Sequence, residues 1–276
     1  MAVDAENLVL TKRGWIGYND IVRGDRTLGR NLEYGTLEWT EILDVEASRG
    51  SLRTLIFASR RITSTLDHPW VANVPTGSKN ISDDRRVMLA DFGTRTKLLL
   101  GGWYDNAGSI PAHVAKIYGL MVAGRAEVQS NGRTHAISIP QADNNTYLKR
   151  VLFDVEYRRY GAYGSYNFVI SGPTAKAVIK LLNKPVSENV WNMGGYERKE
   201  FIDAVFPHSG SLDIGVWLAV YLSDLMPQYH DVVRDGLGLA NYTVIDSNEP
   251  TDLFQLTTRC GSWTMLHDGQ VVLTGG

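Results

Sequence analysis

Cysteine, net charge and long apolar runs are all scarce in this chain of 276 residues. Cys260 is the single cysteine, so no disulfide can form within the chain, and a reducing compartment is expected. The formal net charge of −2 gives no overall positive field, so a nucleic-acid partner would need a local basic face. The longest apolar stretch, 212–222, is interrupted by Asp213 and Gly215 and is too short to span a membrane.

The first residues also lack the features of a secretory signal. Met1 to Glu6 contain neither a basic segment nor an apolar core. Without a signal or a membrane span, the sequence predicts a cytoplasmic protein, and its length is enough for two domains.

Both ends of the chain have the composition of short β-strands. Strand-like segments cover Leu8–Thr11, Leu37–Leu43 and Leu52–Thr63, with turn residues between them, and 253–276 is strand-like again. The segment Asn73–Asp84 is rich in Pro, Gly, Ser, Asn and Asp, which predicts a linker. This pattern predicts a β domain that is split by an insert.

The central part of the chain alternates helices with strands. Apolar periodicity predicts helices at 111–124, 144–157, 174–183 and 196–206, with strands at 136–139, 164–170 and 242–245. The segment 212–225 fits either a strand or a helix. The order of these elements repeats weakly, as in an α+β domain with an internal duplication.

The chemistry-bearing stretch nearest the insert is Thr65-Leu66-Asp67-His68-Pro69-Trp70. A Thr and a His three residues apart beside a strand end can direct a hydroxyl and an imidazole at one backbone carbonyl, which polarises a peptide bond. The same spacing is also typical of a surface turn with a hydrogen-bonded histidine and a packed tryptophan. The spacing alone leaves both interpretations open.

Further motifs give this stretch a family resemblance. Together with Leu8 to Trp15, Val22 to Asp25 and Trp39-Thr40, it resembles the amino-terminal part of an intein of the Hint fold. Gly261-Ser262-Trp263-Thr264 and 268–275 resemble the carboxy-terminal part, and the pattern is similar to phage-type inteins that start without an amino-terminal cysteine, often called class 3. The insert resembles the LAGLIDADG homing-endonuclease domain. The resemblance implies an all-β Hint domain, residues 1–78 and 243–276, split around an α+β LAGLIDADG-like insert, residues 79–242.

The resemblance also implies roles for residues at the two splice junctions. Thr65 and His68 match the residues that activate the amino-terminal junction, and Trp70 and Thr274 match two members of the class 3 triad. The nucleophile position of that triad holds Gln255, which cannot attack a carbonyl. Cys260, five residues further on, could serve only with a shifted register. Ala2 and Gly276 stand where an amino-terminal nucleophile of the ordinary class and the terminal asparagine would be.

In the insert, the resemblance implies two side-by-side helices that each end in a metal-binding carboxylate. Those positions hold Gly124 and Ser209, while Glu127 and Asp203 are nearby acids out of register. No cofactor is therefore expected, although active members of the family use Mg²⁺. Candidate DNA contacts on the family's strands and at the insert's entry are Arg85, Arg86, Gln129, Arg133, His135, Arg158, Arg159 and Tyr163.

The function predicted from the sequence is an intein-derived splicing scaffold with an inserted homing-endonuclease-like domain, in which the splicing and cleavage centres are inactive. Expected partners are double-stranded DNA and, in the ancestral context, a host protein or extein. A monomer in the cytoplasm of a bacterial or phage-infected host is expected. The alternatives are a DNA-binding module that does not cleave and a purely structural scaffold.

Overall fold

The computed structural model describes residues 1–57, 60–76, 82–92, 97–99, 101–130, 135–142, 146–162, 165–206, 213–223, 243–247 and 249–276. The chain divides into two compact units. The first contains residues 1–104 and 221–276, and the second contains residues 105–220. Each unit has its own sheets and its own buried core.

The strands are β1 (Val3–Asp4), β2 (Leu8–Thr11), β3 (Gly14–Gly17), β4 (Arg26–Arg30), β5 (Leu37–Gly50), β6 (Arg53–Phe57), β7 (Arg60–Ser64), β8 (Pro69–Pro75), β9 (Ser82–Met88), β10 (Lys97–Leu98), β11 (Glu127–Ser130), β12 (His135–Ala142), β13 (Arg158–Ala162), β14 (Ser165–Ile170), β15 (Thr243–Asp246), β16 (Thr251–Thr258), β17 (Ser262–His267) and β18 (Gln270–Gly275). The helices are α1 (Ala112–Val122), α2 (Thr146–Val151), α3 (Gly172–Leu182), α4 (Val186–Trp191), α5 (Gly195–Val205) and α6 (Ile214–Leu222).

The first unit is built on one large antiparallel sheet that joins both ends of the chain. Among the described residues its strand order is β15-β6-β7-β1-β16-β5-β4-β2-β17-β18, with β3 paired to β2. The short strand β1 lies between β7 and β16, and β2 pairs with β17. The prediction that the amino-terminal strands and the tail form one β domain is therefore confirmed.

Strand chemistry explains the close packing of this sheet. The hairpin between β17 and β18 turns at Asp268-Gly269, both with positive φ, which is the conformation that a two-residue hairpin turn needs. Gly29 in β4 has no room for a side chain, because a Cβ there would lie 2.4 Å from Cys260 Sγ and 2.5 Å from Ser262 O. The carboxy-terminal hairpin can therefore lie directly over β4 at this point.

A three-stranded sheet, β10-β8-β9, also belongs to the first unit. The linker prediction for Asn73–Asp84 is wrong at both ends, because Asn73 pairs with Asp84 across β8 and β9 and donates a side-chain hydrogen bond to it at 2.8 Å. The first compact unit includes residues up to 104, while the domain boundaries predicted after residues 78 and 242 stay predictions. Residues 224–242 lie outside the described residues.

The second unit is an α+β unit with a four-stranded antiparallel sheet of order β11-β12-β14-β13. Ile137, Ile139, Phe168 and Ile170 form its buried face. Helices α1 and α5 pack closely, because a Cβ on Gly119 would lie 2.7 Å from Phe201 O and 2.8 Å from Ala204 Cβ. The rings of Tyr118 and Phe201 stack at 5.6 Å across the same contact.

Two helix predictions need correction or completion. The helix predicted at 144–157 ends at Val151, although the chain continues in turns that keep Leu152 and Val155 buried. The undecided segment 212–225 contains helix α6. None of the described helices is long and apolar enough to cross a membrane.

Candidate functional site

A buried hydrogen bond between His68 and Thr274 lies at the centre of the candidate site. His68 Nε2 is 2.6 Å from Thr274 Oγ1, although the two residues are 206 positions apart. Both side chains are fully buried. His68 lies between β7 and β8, and Thr274 lies in β18, so two segments far apart in the chain supply the pair.

Burial keeps the imidazole of His68 neutral. The pKa of His68 is lowered from 6.5 to about 3, chiefly by desolvation and to a smaller extent by the nearby terminal amine, while the charge of Asp67 acts in the opposite direction. His68 Nδ1 is buried and has no hydrogen-bond partner among the described residues. A neutral imidazole can serve as a hydrogen-bond donor at one ring nitrogen and as an acceptor at the other.

Thr65 binds the peptide group of Ala2. The N–H of Ala2 donates to Thr65 Oγ1 at 2.8 Å, and the N–H of Thr65 donates to Ala2 O at 2.9 Å. The N–H of His68 in turn donates to Thr65 O at 3.1 Å. The Thr65 hydroxyl and the amine of Met1 together hold the pKa of Asp67 below its usual range.

Trp70 and Ser64 support this arrangement from β8 and β7. Trp70 Nε1 donates to Ser64 Oγ at 3.1 Å, and Ser64 Oγ donates to Thr65 O at 3.1 Å. The Trp70 ring also meets the His68 ring edge-on at 5.5 Å. The structure thus brings together the predicted residues Thr65, His68, Trp70 and Thr274. Ser64 was not predicted, because one serine in a strand rich in Thr and Arg gives no sequence signal.

Gln255 lies on β16, whose neighbour β1 begins one residue after Ala2. Strands β1 and β16 pair antiparallel with Val3 opposite Phe254 and Asp4 opposite Leu253. The N–H of Ala5 donates to Asp252 O at 3.0 Å, in the same register. Extending this register by one residue sets Gln255 opposite Ala2, beyond the last paired residue, Val3.

Cys260 lies in a different place, at the turn between β16 and β17. Its Sγ contacts Ser262 O at 3.4 Å, and its N–H donates to Thr40 Oγ1 at 3.1 Å. It lines an open cleft of about 670 Å³ with Arg26, Trp39 and Arg259. His68 Nε2 is engaged by Thr274, so the thiol is not the partner of the imidazole.

The end of β18 is enclosed by its neighbours so closely that only glycine fits at position 276. We call these surroundings, formed by Leu256, Gly261 and Trp263, the cradle around Gly276. Trp263 Nε1 donates to Gly275 O at 3.0 Å, and the N–H of Gly276 donates to Gly261 O at 3.1 Å. A Cβ on Gly276 would lie 2.1 Å from Leu256 O and 2.6 Å from Trp263 Nε1. A side chain at position 276 therefore requires the surrounding backbone to move.

The described part of the second unit contains no assembled metal centre. No group of three or more His, Cys, Asp or Glu residues is placed to hold a metal ion among the described residues. Gly124 follows α1 with a φ of 67°, and Ser209 lies outside the described residues. Asp203 pairs with Lys199 at 3.0 Å on α5, as expected of a solvated helix face, and Glu127 is exposed on β11.

The candidate DNA contacts are spread over both units. In the second unit, Gln129, His135, Arg158 and Arg159 are exposed on its sheet, and the Arg159 guanidinium lies 3.3 Å from the centre of the Tyr166 ring. Arg85 and Arg86 are exposed on β9 of the first unit, and Arg86 Nη1 lies 2.8 Å from the position of a Cβ on Gly261. Arg133 and Tyr163 lie outside the described residues.

Comparison with solved structures returns inteins and intein-like domains. A bacterial intein-like domain from Clostridium thermocellum aligns with 11% identity and a TM-score of 0.39, covering 100% of this chain and 99% of that one. A class 3 split intein, AceL NrdHF, described as a GSH-linked splice-inactive variant, aligns with 10% identity and a TM-score of 0.40, covering 100% of this chain and 97% of that one. An Ssp DnaB mini-intein aligns with 9% identity and a TM-score of 0.38, covering 100% of this chain and 94% of that one.

No family model and no curated protein matches this chain. With TM-scores below 0.5, the structural likenesses do not define the fold by themselves. The functional interpretation therefore depends on the motifs and on the geometry of the site.

Proposed function

We propose that this chain is an intein-derived protein-splicing scaffold of the Hint type whose junctions remain assembled while the reacting side chains have been replaced. The observation that carries the proposal is the buried hydrogen bond of 2.6 Å between His68 and Thr274. A fully buried imidazole is costly to desolvate, so a fold needs a compensating reason to bring this pair together from both ends of the chain. A centre for activating a peptide bond is such a reason.

The surroundings of Ala2 support an amino-terminal junction. Thr65 accepts a hydrogen bond from the N–H of the Met1–Ala2 peptide bond at 2.8 Å. A hydroxyl or imidazole at this nitrogen can assist departure of the amine when a nucleophile attacks the carbonyl. We infer that Gln255 stands at the position of that nucleophile, because extending the register of β1 and β16 by one residue sets Gln255 opposite Ala2.

The test restores the nucleophile. In a fusion with a reporter protein joined ahead of Ala2, Gln255→Cys should form a thioester at that junction, which dithiothreitol or hydroxylamine then cleaves to release the reporter. The unsubstituted fusion should stay intact although it retains Cys260. Mass spectrometry of the released reporter should place the break immediately before Ala2.

Matched variants make this test specific to the site. Adding His68→Ala to Gln255→Cys should abolish release, whereas adding Cys260→Ser should leave it unchanged. A folded Gln255→Cys fusion that releases no reporter would refute the register and favour a purely structural scaffold. Release that depends on Cys260 instead would show that the nucleophile position has been assigned to the wrong residue.

We further propose that residues 105–220 derive from a LAGLIDADG-type domain that binds double-stranded DNA without cutting it. Support comes from the close contact of α1 with α5 at Gly119 and from the sheet that follows α1. The register of this sheet places Gln129 and Arg158 on the face opposite its buried residues, where both are exposed. Polar and basic side chains on one sheet face suit contacts with bases and phosphates.

Binding to duplex DNA tests this second proposal. Affinity should fall as salt rises, and Arg158→Ala should weaken binding while Lys176→Ala, an exposed control on α3, should not. With Mg²⁺ the unsubstituted chain should not cut duplex DNA. The double variant Gly124→Asp with Ser209→Glu should nick it if these two positions once held the metal-binding carboxylates. Salt-independent binding, or equal loss in both single variants, would contradict a DNA-reading sheet.

A further inference from the structure

The carbonyl oxygen of Gly276 lies close to two donors of one residue, Thr258. The backbone N–H of Thr258 donates to Gly276 O at 3.4 Å, and the hydroxyl oxygen of Thr258 lies 3.2 Å from the same oxygen. The N–H of Gly276 is fixed separately by Gly261 O at 3.1 Å. Thr258 is 5% exposed, so water competes little for these donors.

Thr258 lies beside a β-bulge. Strand β16 pairs regularly with β5 as far as Thr257 opposite Asp44, and the register then shifts so that Thr258 lies opposite Ile42, which leaves Leu43 of β5 as the extra residue. Bulges are common beside functional sites. The hydroxyl of Thr258 also lies 2.9 Å from Ser262 O. Because it has one proton, it can turn from Ser262 to Gly276 when the latter oxygen gains charge.

We propose that Thr258 forms an oxyanion site for acyl transfer at the carbonyl of residue 276. When a nucleophile adds to this carbonyl carbon, the oxygen becomes negative, and the two donors of Thr258 lie where they stabilise that charge. The ligand class is an activated acyl group, a thioester or a peptide carbonyl. The inference rests on the proposed function only for taking residue 276 as the position that the terminal asparagine holds in the family that this chain resembles.

The site can be tested without any splicing nucleophile. The chain is prepared with the carboxyl group of Gly276 as a small alkyl thioester and treated with hydroxylamine. A C–N bond forms and the C–S bond breaks, the thiolate leaves with the electron pair, and the proton from nitrogen passes to solvent. The rate of thiol release is measured and compared with that of a short peptide thioester of sequence Leu-Thr-Gly-Gly.

The folded chain should react faster than the short peptide. Thr258→Val, which removes only the hydroxyl donor, should slow the reaction by about 10-fold or more, since single oxyanion donors contribute at least that much in enzymes. Thr258→Ser should restore the rate, and Thr257→Val, an exposed threonine on the same strand, should leave it unchanged.

Two results would overturn the proposal. One is a folded Thr258→Val chain that reacts within twofold of the unsubstituted chain. The other is a folded, unsubstituted chain that reacts no faster than the short peptide. This comparison needs no variant, so it decides the matter even if Thr258→Val does not fold. Failure of Gln255→Cys to release a reporter would count against the splicing assignment and leave this rate comparison intact.

Discussion

Acidification should destabilise this protein through His68. The imidazole is fully buried, and burial lowers its pKa to about 3 in the folded state. In the unfolded chain the pKa returns to about 6.5, so the unfolded chain binds the proton more tightly. The stability associated with neutral His68 is therefore complete above pH 6.5 and is lost progressively as pH falls toward 3.

The size of the effect follows from the two pKa values. Between them the free energy of unfolding falls by about 1.4 kcal/mol per pH unit, which is about 2 kcal/mol at pH 5 and approaches about 5 kcal/mol at pH 3. A loss of about 2 kcal/mol is a large fraction of the stability of an ordinary domain. It is readily measured by urea unfolding at pH 7.5 and pH 5.

The assay compares the unsubstituted chain with His68→Gln, which cannot titrate. The carboxylates and His267, a buried histidine whose pKa is also lowered by burial, contribute equally to both chains. The difference between their losses on going from pH 7.5 to pH 5 isolates His68. His135→Gln, an exposed histidine, is the matched control and should follow the unsubstituted chain. If His68→Gln loses as much stability as the unsubstituted chain, the imidazole is not desolvated and the geometry of the site is wrong.

Four further substitutions test the packing of the site. Thr274→Val should lower the free energy of unfolding, measured with urea, by about 1–3 kcal/mol, because it leaves His68 Nε2 buried without a partner. Thr274→Ser keeps the hydroxyl and should recover most of that loss. Gly29→Ala should lower the free energy of unfolding by about 1–3 kcal/mol, because the added methyl group overpacks against Cys260 Sγ. Gly17→Ala, whose added Cβ meets no atom within 4 Å, should change the free energy of unfolding by less than about 0.5 kcal/mol. Equal effects of the two glycine substitutions would contradict the close contact between Gly29 and the carboxy-terminal hairpin.

The family motifs predicted the centre of the site better than residue spacing alone could. Spacing within one turn links Thr65 with His68, but nothing in spacing links His68 with Thr274, 206 positions away. Their pairing became predictable through the resemblance of both ends to one fold. Thr258 was not predicted because its closeness to Gly276 depends on the pairing of distant strands beside a bulge, and a one-residue register shift leaves no trace in strand composition.

The errors have equally local causes. Asn73 and Asp84 have the composition of a linker, yet they bond to each other as a cross-strand pair, and Asp84 also accepts from the buried guanidinium of Arg30 at 3.0 Å. The predicted helix after residue 144 was too long because its apolar stripe continues into turns: Leu152 and Val155 stay buried after the helix ends at Val151. Apolar periodicity indicates which side of a segment is buried, and buried residues can continue in the chain beyond the end of the helix.

Under the proposed function, positions 255 and 276 should differ in how easily splicing chemistry can be introduced. At position 255 a shorter side chain can replace the half-buried Gln255, so one substitution should suffice. At position 276 a Cβ would lie 2.1 Å from Leu256 O, a distance that only backbone movement can relieve. Adding Gly276→Asn to Gln255→Cys should therefore leave thiol-induced release before Ala2 detectable while producing no cleavage after residue 276. Efficient cleavage there, measured with a second reporter joined after residue 276, would show that the cradle around Gly276 opens more readily than its packing implies.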